Sequence, residues 1–181
     1  MDETTSTESD ASTLGATAER EAVDSEFDDL LGIVTDGVVG ALGGLVGTAA
    51  ATVGLFVAAS LGAFDLTALA SLPQATGLGA VVPIGPVAAG WLVFLAGGMF
   101  IWPLLFAATA EYLPGRRLAV KGLPFGFVLW TGFALAFVGA APTTVPGLLA
   151  FAALTLASHL VYGFSLGAVY AFLRTRPETL V

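Results

Sequence analysis

TLASHLVYGFSLGAVYAFL, residues 155–173, decides the class of this protein. The stretch carries no formal charge, and it holds the only histidine of the chain, His159. As a helix rising 1.5 Å per residue it would be about 28 Å long, close to the ~30 Å hydrocarbon core of a bilayer. Such a run reads as a membrane span. The same measure applied along the chain finds spans at about 37–62, 86–110 and 122–140, with the fourth covering 148–173. The expected fold is all-α: an integral membrane four-helix bundle behind a disordered acidic N-terminal tail.

Composition points the same way. The 181 residues are 56% hydrophobic and 11% charged, with a mean hydropathy of +0.90, whereas an ordinary soluble domain is about 25% charged. Cysteine is absent, which removes disulfides, thiolate metal sites and cysteine nucleophiles. One histidine also excludes a multi-histidine metal site within a single chain. The net charge of −8 is segregated: residues 1–36 hold eleven of the fourteen acids and a single base, Arg20. The remainder holds Asp65, Glu111 and Glu178 against five bases. MDETTSTESDASTLGATAEREAVDSE, residues 1–26, has too little apolar surface to offset its ordering entropy. Residues 1–25 are therefore expected to form a disordered cytoplasmic tail, and 26–181 the membrane domain. No cationic segment precedes the first apolar stretch, so a cleaved secretory signal is not expected.

The connections set the orientation. DLTALASLPQATGLGAVVPIG, residues 65–85, is broken by proline and glycine and is long enough for a short interfacial segment. EYLPGRRLAVKG, residues 111–122, is short and basic, and APTTVPG, residues 141–147, forms the third connection. Arg116, Arg117 and Lys121 then share one side with Arg174, Arg176 and the N-terminus. Cytoplasmic loops carry the Lys and Arg excess, so that side is expected to face the cytoplasm of a multi-pass protein of the cell membrane.

Small residues recur at helical spacing. Gly40, Gly44 and Thr48 lie four apart in the first span, as do Gly43, Gly47 and Ala51, and Gly163 and Gly167 follow His159 in the fourth. Such faces let helix backbones approach closely in lipid. They serve helix packing within the chain or, alternatively, a homo-oligomer.

His159 lies about 21 Å from the end of its span near residue 173, close to mid-membrane. An ionised ring there would cost several kcal/mol, so neutral imidazole is expected. Thr48 and Thr52 of the first span match it in depth and are its expected hydrogen-bond partners. The sharper alternatives are a proton relay and a haem or metal ligand, and haem held by two histidines would need a second chain. Glu111 sits roughly 20 Å away at the end of the second span, too far to pair with His159. Its expected partners are Arg116 and Arg117 at the interface, with a gating role as the alternative. Pro103 removes a backbone bond from the second span and is expected to kink it. Trp91, Trp130 and Tyr112 read as interfacial anchors or fillers, while Tyr162 is too deep for that role.

No nucleotide, zinc-protease or serine-hydrolase signature is present, GLGAVVPIG lacking the GxGxxG spacing. LPGRRLAVKGLPFGFVLW and HLVYGFSLGAVYAFL, within a match over about 35–173, resemble a family of small uncharacterised four-span membrane proteins of halophilic archaea. Some of these are loosely associated with terminal oxidase genes. The resemblance implies a four-helix bundle and no established activity. The expected role is non-enzymatic, an accessory or structural subunit of a membrane complex, respiratory complexes included. The competing expectation is a small transporter or proton conduit centred on His159. The expected partners are the lipid bilayer and a membrane protein or a second copy of the chain. No cofactor, metal or nucleic acid is expected.

Overall fold

Among the described residues, four helices are long and apolar enough to cross a membrane: Gly37–Ser60, Pro86–Thr109, Leu118–Ala140 and Val145–Arg174. The computed structural model describes residues 32, 34–35, 37–80 and 84–174, among which there is no strand. The expected tail at 1–25, Arg20, Arg176 and Glu178 lie outside the described residues. The packing described below belongs to the compact unit that begins at Val39.

The third and fourth spans start earlier than expected, at 118 instead of 122 and at 145 instead of 148. Lys121 does not hold the third helix back. Its Nζ donates to the carbonyls of Ala110 at 2.6 Å and Glu111 at 3.3 Å, placing a cation on the carbonyl end of the second span. The fourth helix absorbs Pro146 and Gly147 into its first turn, where a proline's missing N–H is not needed. Thr144 caps it: its Oγ1 accepts the N–H of Gly147 at 3.3 Å and its carbonyl that of Leu148 at 2.9 Å.

Just past the end of the first span at Ser60 comes Gly62, whose φ of +68° lets the chain fold back on the helix terminus. The N–H groups of Gly62 and Ala63 bond the carbonyls of Ala59 and Ala58. This turn delivers Phe64 to the bundle end, where its ring lies 5.4 to 6.0 Å from those of Phe133, Phe137 and Phe151. Asp65 then caps a short 3-10 helix, Leu66–Ser71, followed by Leu72–Ala75 and Leu78–Ala80. Leu69 of this segment is fully buried, its carbonyl so close to Gly90 that a β carbon there would collide with it.

Three pairs of antiparallel helices meet at glycines. Gly43, Gly47 and Gly54 of the first span lie against Leu166, Tyr162 and Ser158 of the fourth. Gly44 fits against Pro103 and the carbonyls of Gly98 and Met99 in the second, where a β carbon would come within 2.7 Å of both oxygens. Gly122 and Gly163 lie back to back between the third and fourth spans, with Gly126 on the carbonyl of His159 and Gly167 on that of Leu118. Lipid tails are as apolar as leucine, so these close approaches hold the bundle by dispersion and not by exclusion from water. The second and third spans have no such seam among the described residues; they touch through the rings of Phe106 and Phe125, 5.2 Å apart.

Two apolar clusters result. One, around Leu55, Leu69, Phe133, Phe137 and Phe151, lies at the end nearer the Asp65 segment. The other, around Phe106, Phe125, Tyr162 and Leu166, lies toward the end that carries Glu111, Arg116, Arg117, Lys121 and Arg174. Between them sits the polar waist of Thr48, Thr155, Ser158 and His159, all buried.

Candidate functional site

The waist is shaped by a defect in the second span. Gly97–Ile101 is a π-helical turn, in which the N–H of Trp102 reaches back to the carbonyl of Gly97. The next donor in that register would be residue 103 reaching Gly98, but Pro103 has no N–H. The carbonyl of Gly98 is thereby left without its helical partner, inside the membrane. Tyr162 of the fourth span supplies one, donating its hydroxyl to that oxygen at 2.8 Å. Pro103 thus acts with the two glycines before it, and Tyr162 is deep because its hydroxyl is needed there.

His159 lies one residue, about 100° of helix rotation, from Ser158. Ser158, Tyr162 and Leu166 form the face that meets the first span, and Ser158 donates its Oγ to the carbonyl of Ala51 at 2.7 Å. His159 therefore does not bond Thr48 or Thr52. Its Nδ1 bonds the carbonyl of Thr155, one turn back, at 2.8 Å, and its ring packs on Phe133 at 4.8 Å. Thr155 is fixed in turn, its Oγ1 accepting from Trp130 Nε1 at 3.0 Å and donating to the carbonyl of Phe151 at 2.7 Å. A carbonyl only accepts, so Nδ1 carries the proton, and in the neutral ring Nε2 is an acceptor. Nε2 makes no hydrogen bond in the structure.

Thr52 satisfies itself by donating to the carbonyl of Thr48 at 2.7 Å. Thr48 Oγ1 is buried against Gly98 and has no partner. Thr48 and His159 nevertheless line one cavity of about 590 Å³ between the second and third spans. Its walls are Phe94, Gly98, Trp102, Gly132, Phe133 and Phe137 among others, with Tyr162 beside His159 and Leu72 and Thr76 at one end. No charged side chain lines it. The space exists because the two spans meet at Phe106 and Phe125 and have no glycine seam to draw them together.

The interfacial pair expected at the other end does not form. Glu111, Arg116 and Arg117 are all exposed, and Glu111 joins neither arginine in an ion pair. Its carboxylate lies beside the Tyr112 hydroxyl and pushes the Tyr112 pKa up. The only side chain holding the backbone of this turn from the third span is Lys121, among the described residues. Gly40, Gly44, Gly47, Gly163 and Gly167 are spent in contacts within the chain.

The sequence reading passed over the partners of the histidine, Thr155 and Phe133, and the match between Tyr162 and Gly98. GGMFIWP, residues 97–103, carried a usable signal: paired glycines followed by proline mark a weak helical turn whose carbonyls need outside donors. No curated protein and no solved structure matches the chain. Over residues 34–181 it matches the model of DUF6789, a family of unknown function. The chain belongs to that family.

Proposed function

We propose that this protein is a non-enzymatic accessory subunit of a complex in the cell membrane, with both termini in the cytoplasm. The observation that carries this reading is the setting of His159. One ring nitrogen is committed to a backbone carbonyl, and the aromatic clusters around Phe133 and Phe137 on one side and Phe106 and Phe125 on the other flank it along the bundle. A proton conduit would need polar groups or water to continue from the ring toward both surfaces. A subunit needs apolar surface for neighbours, and only 17% of the second span's most apolar window is buried inside the chain.

The test has two arms. Purified protein in liposomes is expected to pass no protons under an imposed pH difference, and the chain isolated from its native membrane in mild detergent is expected to carry one membrane protein in fixed stoichiometry. A proton flux lost in His159→Leu at unchanged stability would overturn the reading in favour of the conduit.

The orientation rests on the bases: Arg116, Arg117, Lys121 and Arg174 lie at one end of the bundle, whereas Asp65 is the one described charge at the other. Cysteines placed at the exposed positions 143 and 116 should label with an impermeant reagent from outside and inside, respectively. Labelling of both from outside would end the topology. Origin in a halophilic archaeon is part of the same proposal, supported by the acid-rich first 36 residues and a single lysine, Lys121.

A further inference from the structure

We infer that the cleft between the second and third spans binds a neutral, lipid-soluble molecule with a ring-borne hydroxyl, which donates a hydrogen bond to Nε2 of His159. The site does not depend on the accessory role, because every group it uses belongs to this chain.

Four properties of the cleft select that chemistry. Its volume of about 590 Å³ falls within the roughly 300–1,000 Å³ of small-molecule sites. With no charged side chain in its lining, an ionised ligand would enter without a counter-charge, at a cost of several kcal/mol in hydrocarbon, so the ligand is neutral. Phe94, Trp102, Phe133 and Phe137 offer ring faces and edges, which favour a flat aromatic head. The specific element is the histidine. Its Nδ1 is fixed on the Thr155 carbonyl, which holds the ring against Phe133 and leaves Nε2 as an unused acceptor, so the ligand must bring a donor. Thr48 does not compete for this role, its oxygen being enclosed under Gly98. The flanking spans both face lipid with much of their surface, so the bilayer itself is the reservoir from which the molecule is drawn.

The structure also supplies a blocking variant. Gly132 lines the cleft, and a β carbon there would meet nothing within 4 Å. Gly132→Leu therefore adds an isobutyl group to the wall of the cleft from a position whose β carbon is unhindered.

Binding is measured by titrating the protein in lipid nanodiscs with tritiated 4-nonylphenol and, in parallel, with its methyl ether, which has the same ring and tail but no donor. The phenol is expected to saturate at one per chain and to bind about tenfold more tightly than the ether, the ratio of one neutral hydrogen bond. His159→Leu should bring the phenol down to the level of the ether, His159→Gln should recover part of the difference through its carbonyl, and Gly132→Leu should remove saturable binding of both. Equal binding of phenol and ether, or partition that Gly132→Leu leaves unchanged, would overturn the proposal. So would loss of a copurifying membrane protein or of a second copy in Gly132→Leu without saturable phenol binding, since the cleft would then hold a helix.

Discussion

If Tyr162 replaces the amide donor that Pro103 lacks, the two residues are energetically coupled, and the coupling is measurable. Tyr162→Phe keeps the ring on Gly47 and removes one oxygen, leaving the carbonyl of Gly98 with neither its helical donor nor the hydroxyl. An unsatisfied buried acceptor costs about 1–3 kcal/mol. Interhelical hydrogen bonds in membranes average about 0.6 kcal/mol and reach about 1.7. The Gly98 bond belongs near the top of that range because the proline removes the usual local alternative, so a loss of about 1.5 kcal/mol is expected. Pro103→Ala restores an N–H. Whether the turn stays π-helical, with residue 103 bonding Gly98, or relaxes to α, with Trp102 doing so, that carbonyl gains a partner. In this background Tyr162→Phe should cost about 0.5 kcal/mol. Pro103 also packs on Gly40 and Gly44, but that loss is common to both sides of the cycle and cancels. The assay is unfolding of the four proteins by SDS in mixed micelles. Equal costs of Tyr162→Phe in the two backgrounds, within about 0.4 kcal/mol, would refute the replacement.

Three further outcomes follow from the packing and the turns. Gly163→Ala should destabilise the bundle by more than about 2 kcal/mol in the same assay, since the β carbon falls on the Gly122 carbonyl, whereas Gly132→Ala should gain up to about 1 kcal/mol from helix propensity alone. Thr48→Val removes a buried hydroxyl that has no partner while keeping its shape, and should leave stability unchanged or raise it by up to about 1 kcal/mol; a loss above 1 kcal/mol would show that the hydroxyl is bonded in the bilayer. Asp65 accepts from the side chain and then the N–H of Thr67, which hold its carboxyl below the ordinary aspartate range. A lowered folded-state pKa means that this cap contributes above the unfolded value of about 3.9 and is lost as pH falls through the folded one. Hydrogen exchange at the Leu66–Ser71 amides should therefore stay constant from pH 7 to 5, after correction for intrinsic rates, and lose protection only below about pH 4; Asp65→Asn should weaken protection at every pH.

The sequence by itself determined the class and the number of spans, because a run of about 20 apolar residues without formal charge has few other stable solutions in a cell. It also determined which residues were small enough for close helix contact, Gly44, Gly47, Gly163 and Gly167 among them. What it left open was rotation. Depth along a helix follows from counting residues, and it placed Thr48 near His159, where both line one cavity. The face a residue presents depends on how two helices seat their glycines, and a shift of one position turns a side chain by about 100°. That rotation put Ser158 toward the first span and His159 toward the third, against Phe133. The same limit applies at the surface: Glu111 is close in sequence to Arg116 and Arg117, yet the turn exposes all three without pairing them and gives the carbonyls of Ala110 and Glu111 to Lys121 instead. The cleft was not legible because it records a missing contact. Tertiary structure alone decided it, by seating glycines at three helix pairs and leaving the second and third spans, among the described residues, to meet at Phe106 and Phe125 without such a seam.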